Sequence, residues 1–581
     1  MQRYLSTAYL GLPDPTGREI ALRVIDETFW RSMIRTRQVT LDAFTTPRDG
    51  LPQPRRDPLK SSRTRRHADL LAAAGAVAQM LTDKASLDTL PYTAEDLDDF
   101  AREEVRAAPR EPDIRPDQRE ADQSAALETM AEARRARDFA RIWRILAEAK
   151  RQERPCSERL TLTQDDQGVR RIRLFGRCDL PKDAPLLLLD ADADPKILRA
   201  FVPGARIETL SLRPNAHVVQ VGDRRMSNGT LLKSDAIRRD WVAVIRAEVL
   251  RDRAGRKCGV LVGATRKVVR AFFRDAGHDF TGLSEAEVSA RMLDTELHGA
   301  RWTWFGGRAL GENRYRDFST AIVIGREELP VAALEDQARA LFGDTPGETL
   351  ACIAPDGDGR RLLPDETVAY PVEHGRARGA WVRIHPDPRI AALQRQTREC
   401  ATRQLVERLR LPHATYPKRV LLGCNIPIPG LPVSRLVNFE DLVPSRLAKA
   451  CLEAFLENRP LRLSAPGLHA DASHTFPTLE AAKCFVKRSL QSEIEDLRLG
   501  CTMLRVRLRT AVRGARSVDV LVPAQDAQTA RAMAETAYGA LARFDLISAV
   551  SYGKIGNRSK GRQAGVQDPL GFVSPRLRPT A

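Results

Sequence analysis

The segment EIALRVIDETFW, residues 19–30, is an apolar run that ends in Asp26-Glu27 and continues into two aromatic residues. A run of this kind predicts a buried strand, and the carboxyl end of a buried parallel strand is where ligand-binding carboxylates belong. In a nucleotide hydrolase the first carboxylate orders Mg²⁺ through water and the second polarises the attacking water. The same pattern also fits a strand running into a helix N-terminus, where Asp and Glu favour the dipole. The rest of the chain has to decide between these readings.

Downstream, PLLLLDADADPKILRAF (185–201) predicts a second buried strand, an acidic turn and a helix start. Asp190, Asp192 and Asp194 alternate as metal ligands could. Asp194 before Pro195 also fits an N-cap followed by the first helical residue, and both residue types then fall where helix chemistry wants them. Further short apolar runs, CGVLVGAT (258–265), TAIVIGRE (320–327) and KRVLLGC (418–424), alternate with helical stretches. Buried strands separated by helices predict βαβ units and a mainly parallel sheet.

Other regions read differently. TTPRDGLPQPRRDPLKSSRTRR (45–66) is an exposed basic loop, and a helical stretch is expected between it and Asp26-Glu27. Residues from about 67 to 151 are mostly helical, with Ala136, Phe139, Ile142, Trp143 and Leu146 on one packing face. ERLTLTQDDQGVRRIRLFG (158–176) predicts a hairpin turning at Asp165–Gly168. Beyond Val433 the chain changes to a small mixed domain: the helix LAKACLEAFLEN, the strand-like MLRVRLRTAVRGARSVDVLVP and the helix TARAMAETAYGALARF. From Ser551 a basic Gly/Pro/Ser-rich tail is expected to be flexible.

The 581-residue chain carries 93 Lys and Arg against 76 Asp and Glu, a formal charge of +17, which is too large a chain for one ordinary core and favours a polyanionic partner. An Arg-rich composition inherited from a GC-rich genome would give the same balance. Nine cysteines are scattered with no C-x-x-C pair, which leaves zinc knuckles and redox motifs unsupported and fits a reducing cytoplasm. No signal peptide or membrane-spanning run is expected.

Two further segments carry candidate chemistry. WFGGRALGENRYRDFSTAIVIGRE (304–327) is a glycine-rich loop in which Gly306, Gly307 and Gly311 permit close backbone approach to phosphate, with Arg308, Asn313 and Arg314 as donors. RECATRQLVERLRL (398–411) predicts a helix placing Gln404 and Arg408 on one face, where an arginine can stabilise charge on a transferred phosphoryl group. An ordinary turn and a plain surface helix with Glu399–Arg403 and Gln404–Arg408 pairs are the alternatives.

In their order, these segments resemble the superfamily 2-like (DEAD/DEAH-type) helicases of bacterial plasmids and prophages, from about Ile20 to Asn425. Val24, Ile25, Asp26 and Glu27 match the family's Walker B element, and LLLLDADADP its strand ending in an Asp-Ala-Thr-Ala-Asp-like run. Phe305, Gly306, Gly311 and Asn313, followed by Tyr315 and Asp317, match its phenylalanine-glycine loop. Gln404, Arg408 and Arg410 match its arginine-bearing last motif. The resemblance implies an α/β fold of two RecA-like lobes with mainly parallel sheets: a partial first lobe over 1–223 with a helical insertion near 67–151, and a second over 231–430. A small C-terminal α+β domain would follow over 433–550, with the tail at 551–581. It further implies catalytic Asp26, Glu27, Gln404, Arg408 and Arg410, with ATP and Mg²⁺ as cofactors. Asp26 would hold the metal through the nucleotide, Gly311 and Asn313 would contact the nucleotide, and Gly306, Gly307, Arg308 and Arg314 would contact single-stranded DNA.

One departure dominates. No G-x-x-x-x-G-K-[ST] occurs in the chain, and the residues before Asp26 are too few for the strand, phosphate loop and helix of a complete first lobe. Arg410 also lies one residue closer to Gln404 than in many helicases. The expectation is therefore a helicase-like protein of mobile-element DNA replication or maintenance, truncated at its N-terminus and weak or inactive in ATP hydrolysis alone. A non-enzymatic single-stranded nucleic-acid-binding protein and a split ATPase completed by a partner chain are the alternatives.

Overall fold

Unbroken apolar runs become central strands, and alternating runs become strands with one wet face. The computed structural model describes residues 20–550 apart from 27–28, 49–60, 111, 113, 116, 183, 256–258, 307–312, 344, 346–348 and 374–377. The chain divides into two units, Met1–Arg239 with Cys258–Leu442, and Asp240–Lys257 with Val443–Ala581.

In the first unit the strands are β1 (Arg23–Asp26), β2 (Ile34–Thr40), β3 (Leu160–Gln164), β4 (Arg170–Arg177), β5 (Leu186–Leu189), β6 (Ala216–Val221), β7 (Val260–Ala264), β8 (Arg301–Trp304), β9 (Thr320–Ile324), β10 (Asp365–Ala369), β11 (Gly379–Arg383), β12 (Lys418–Gly423) and β13 (Arg435–Val437). Six of them form one sheet in the order β13-β6-β12-β9-β7-β8, with every neighbouring pair parallel. β7 and β9 are buried at every residue, as strands covered on both faces must be. β6 lies within the span expected for a first lobe, yet it pairs with β12. The helix Pro388–Val406 lies on this sheet, where Gly263 of β7 leaves room for Leu405 that a Cβ would take.

β1 and β5 form a separate parallel pair, with Val24 opposite Leu187 and Asp26 opposite Leu189. β2, β4 and β3 form an antiparallel sheet with the expected hairpin, Gln164 opposite Arg170 and Gly168 at φ +80° in its turn. This sheet shares a core with the helices Ser61–Asp83, Ala94–Ala107 and Glu120–Arg151, into which Phe139, Ile142, Trp143 and Leu146 are buried. Two local readings are corrected here. The stretch after Trp30 is not simply helical: IRTRQVT is strand β2, because all seven residues pair in antiparallel register with Arg171–Arg177 of β4. The helix at Ser61 begins inside the segment read as a basic loop.

The second unit holds β14 (Leu461–Arg462), β15 (Met503–Thr510), β16 (Val518–Val522) and β17 (Leu541–Val550), antiparallel in the order β14-β16-β15-β17. Leu504, Val506 and Leu508 of β15 pack against Ala530 and Ala534 of the helix Ala527–Tyr538. That helix stops where Gly539 takes φ +84°, so the last residues of TARAMAETAYGALARF belong to β17 and not to a helix. No helix among the described residues is long and apolar enough to cross a membrane.

The helix Pro388–Val406 is capped by Asp387, whose Oδ1 accepts the Arg389 N–H at 2.8 Å, while Oδ2 accepts the Ala351 N–H at 3.0 Å. Burial works to raise the Asp387 carboxyl, but the Arg389 guanidinium and these two backbone N–H groups outweigh it and hold it at about 2, below the ordinary 3.8. The unfolded chain therefore takes up this proton first, and the cap's contribution is complete above about pH 4 and lost as pH falls toward 2. Asp387→Ala is expected to cost about 1–2 kcal/mol at neutral pH. Urea unfolding of both proteins should show that difference shrinking between pH 4 and 2; a constant difference would reject the titrating cap.

Candidate functional site

Parallel pairing brings two distant acidic segments to one end of a sheet. β1 and β5 run in the same direction, so exposed Asp26 and the turn Asp190–Asp194 both leave their carboxyl ends. Asp190 Oδ1 accepts the Asp192 N–H at 2.8 Å, which closes the turn. Asp194 caps the helix Pro195–Phe201 by accepting the Lys196 N–H at 2.8 Å, with Pro195 at the first helical position. The turn-and-cap reading of this segment therefore holds for Asp194.

The helix Pro388–Val406 grips that turn along one face. Gln396, Cys400, Arg403, Gln404 and Glu407 recur at helical spacing. Gln396 Nε2 donates to the Asp192 carbonyl, Arg403 donates to the Ala191 carbonyl, and Arg395 donates to Asp194 Oδ2 at 3.2 Å. The Asp192 side chain is only 1% exposed and is ion-paired with Arg403. Neither of its oxygens receives a hydrogen bond of ordinary geometry, so Arg403 compensates the charge mainly as an ion partner. Burial raises the Asp192 carboxyl above its usual value, and Arg403, Cys400 and Gln404 pull it part of the way back. Glu407 is also raised, first by burial and then by Asp192, with Arg403 opposing. Burial likewise pushes the Cys400 thiol up. Burial thus works against the charged form at both carboxyls, and the Arg403 guanidinium works for it at both.

Beyond Val406 the backbone changes. Glu407–Leu409 is a 3₁₀ turn and Arg410 sits at φ +53°, so the helix predicted through Leu411 ends five residues early, helped by Pro412 after Leu411. Arg408 is on the 3₁₀ turn and half-buried, not on a continuous helical face with Gln404. Exposed Arg410 donates from Nη2 to Asn313 Oδ1 at 3.0 Å, which joins the last motif to the end of the glycine-rich loop. Buried Lys418 holds both arms of this contact, donating to the Leu409 carbonyl at 2.7 Å and to the Arg316 carbonyl. This contact lies at the amino ends of β9 and β12.

Of the residues singled out from sequence, Asp26 ends the strand beside the Asp190–Asp194 turn, Gln404 lies on the helix that grips that turn, and Arg410 meets Asn313 separately, at the amino ends of β9 and β12. Gly306 takes φ +68° in a turn with open space at its Cβ position. Arg314 lies 3.8 Å from Asp294 and over the Tyr315 ring. Glu27, Gly307, Arg308 and Gly311 lie outside the described residues. Sequence reading missed Gln396, Arg403 and Lys418. Arg403 was paired on paper with Glu399, but Glu399 is taken by Arg398 at 2.6 and 3.0 Å. The seven-residue step from Gln396 to Arg403 was the available signal.

Among the described residues no three His, Cys, Asp or Glu side chains gather as a metal cage. Comparison of the chain with protein-family models gave no match, and comparison with the curated proteins gave none either.

Arg403→Ala leaves the buried Asp192 carboxylate without its cation and is expected to destabilise the protein by about 3 kcal/mol. In an Asp192→Asn background the same change should cost much less. Urea unfolding of the four proteins measures the coupling, and equal costs in the two backgrounds would reject it.

Proposed function

We propose that the chain is a helicase-like protein built on RecA-like lobes, which binds single-stranded nucleic acid, DNA foremost, and does not turn over ATP efficiently by itself. The observation that carries this reading is that segments far apart in sequence meet in pairs. Asp26 and the Asp190–Asp194 turn share one strand end, the Gln404-bearing helix closes on that turn, and Arg410 meets Asn313. The formal charge of +17 supports a polyanionic partner.

In this reading Asp26 would hold Mg²⁺ on a bound nucleotide. A bound metal would supply charge neutralisation on its phosphates. Gln404, set against Asp192, orients groups at the strand end. No G-x-x-x-x-G-K-[ST] stands in the chain to cradle phosphate, so nucleotide binding is weak. The setting is replication or maintenance of mobile DNA.

Fluorescence anisotropy with a labelled single-stranded oligonucleotide tests the reading. Affinity should fall on the order of tenfold between 50 and 200 mM salt, as two or three phosphate contacts require. Arg314→Ala should flatten that salt slope by about one contact. ATP hydrolysis by the chain alone should stay near background with or without DNA. Undetectable binding at low salt, or binding indifferent to salt, would overturn the proposal.

A further inference from the structure

The helix Ala527–Tyr538 has two uncharged faces where a surface helix needs only one. Ala530 and Ala534 pack into the core beneath it. Thr529, Ala532, Met533, Thr536 and Ala537 recur at helical spacing on a second face, and that face lines a cleft of about 1060 Å³. The cleft is open because these side chains are small, and Ala532 and Ala537 are exposed in it. β15 and β16 contribute Leu508 and Val518, and the segment from Glu457 to Arg462 contributes a further wall. Asn458 of that wall takes φ +56° just beyond the helix Arg446–Phe455. Arg462 donates to Asp471 Oδ1 at 2.6 Å and Oδ2 at 2.9 Å and stacks on the Tyr538 ring. The Tyr538 hydroxyl donates to the Pro460 carbonyl at 2.9 Å, which ties the wall to the helix. All of these residues belong to the second unit.

The charges that line the cleft do not cancel. Asp471 takes Arg462, and Glu457 takes Arg459 at 2.8 Å. Arg516 lines the cleft, is exposed, and has no carboxylate partner among the described residues. The pairing of Leu508 with Val518 carries on to set Thr510 and Arg516 at the same end of the β15–β16 hairpin. One planar guanidinium with a hydroxyl beside it matches one carboxylate, which Arg binds through two parallel N–H groups. A phosphate dianion asks for more positive charge than one arginine brings. The volume is that of a small-molecule site, and such sites pair apolar walls with a few placed polar groups. We propose that the cleft binds a small molecule with an apolar body and a single carboxylate. The carboxylate meets Arg516 and Thr510, and the body lies over Val518, Met533 and Ala537. The site is independent of the function proposed above.

Decanoate, an unbranched monocarboxylate, is the probe, and decanol is its uncharged counterpart. The chain has eight methionines, so carbon-13 labelling of their methyl groups in the full chain gives few NMR signals, and Met533→Leu identifies the one from Met533. Decanoate should move that signal saturably and leave the others in place. Decanol should bind about tenfold more weakly, as the loss of one charge-assisted contact requires. Arg516→Glu should weaken decanoate by at least that factor and leave decanol unchanged. Ala532→Trp fills the cleft and should abolish both shifts with the urea midpoint of unfolding unchanged; where that midpoint moves, the exposed Arg516→Glu change decides. A Met533 signal unmoved by decanoate would overturn the proposal, as would decanol binding as tightly as decanoate. So would Arg516→Glu binding decanoate as the parent does. Equal shifts at several methionines would show general partition onto apolar surface and overturn it likewise.

Discussion

The buried ion pair of Asp192 with Arg403 is the contact through which the separate parts of the candidate site hold one another. A carboxylate taken almost wholly out of water is costly unless a cation and polar groups replace its hydration. Here the cation comes from a helix more than two hundred residues away in sequence, and that helix also reaches the turn through Gln396 and Arg395. Fixing the turn fixes the end of β5, and β5 sets the register of β1 and so the position of Asp26. The helix itself is set by its Asp387 cap and by the close approach of Leu405 to Gly263. Each member therefore depends on an element made from a different stretch of chain.

Much of this architecture was readable because it follows from local chemistry. β7, β9 and β12 are unbroken apolar runs bounded by polar residues, and a strand buried on both faces leaves no other pattern. The Asp194–Pro195 cap and the Asp165–Gly168 turn were equally local. What could not be read depends on partners far away in sequence. β2 is a strand because β4 lies beside it, and its residues alone do not outvote a helix. The helix end at Val406 depends on the left-handed Arg410, a residue type that rarely takes that conformation, and Lys418 supports the turn from the following strand. The role of Arg403 became visible only once Asp192 was seen to be buried.

The same distinction governs what the site can do. A triphosphate needs two kinds of partner: side chains that meet its charge from one side, and a run of backbone N–H groups that wraps it. In the function proposed above, Asp26 would supply the first kind by meeting a nucleotide-bound metal. The second kind needs a strand, a tight turn and a helix start in succession, and the strand end beside Asp26 has no such neighbour among the described residues. Side-chain donors at exposed positions pay ordering entropy for each contact, whereas a helix N-terminus presents its donors already aligned. In the function proposed above, nucleotide affinity is thus the property most sensitive to the exposed face of β1–β5. Attraction of a nucleic-acid backbone depends on distributed positive charge and is insensitive to that face. In the function proposed above, nucleotide binding and nucleic-acid binding are separable for that physical reason.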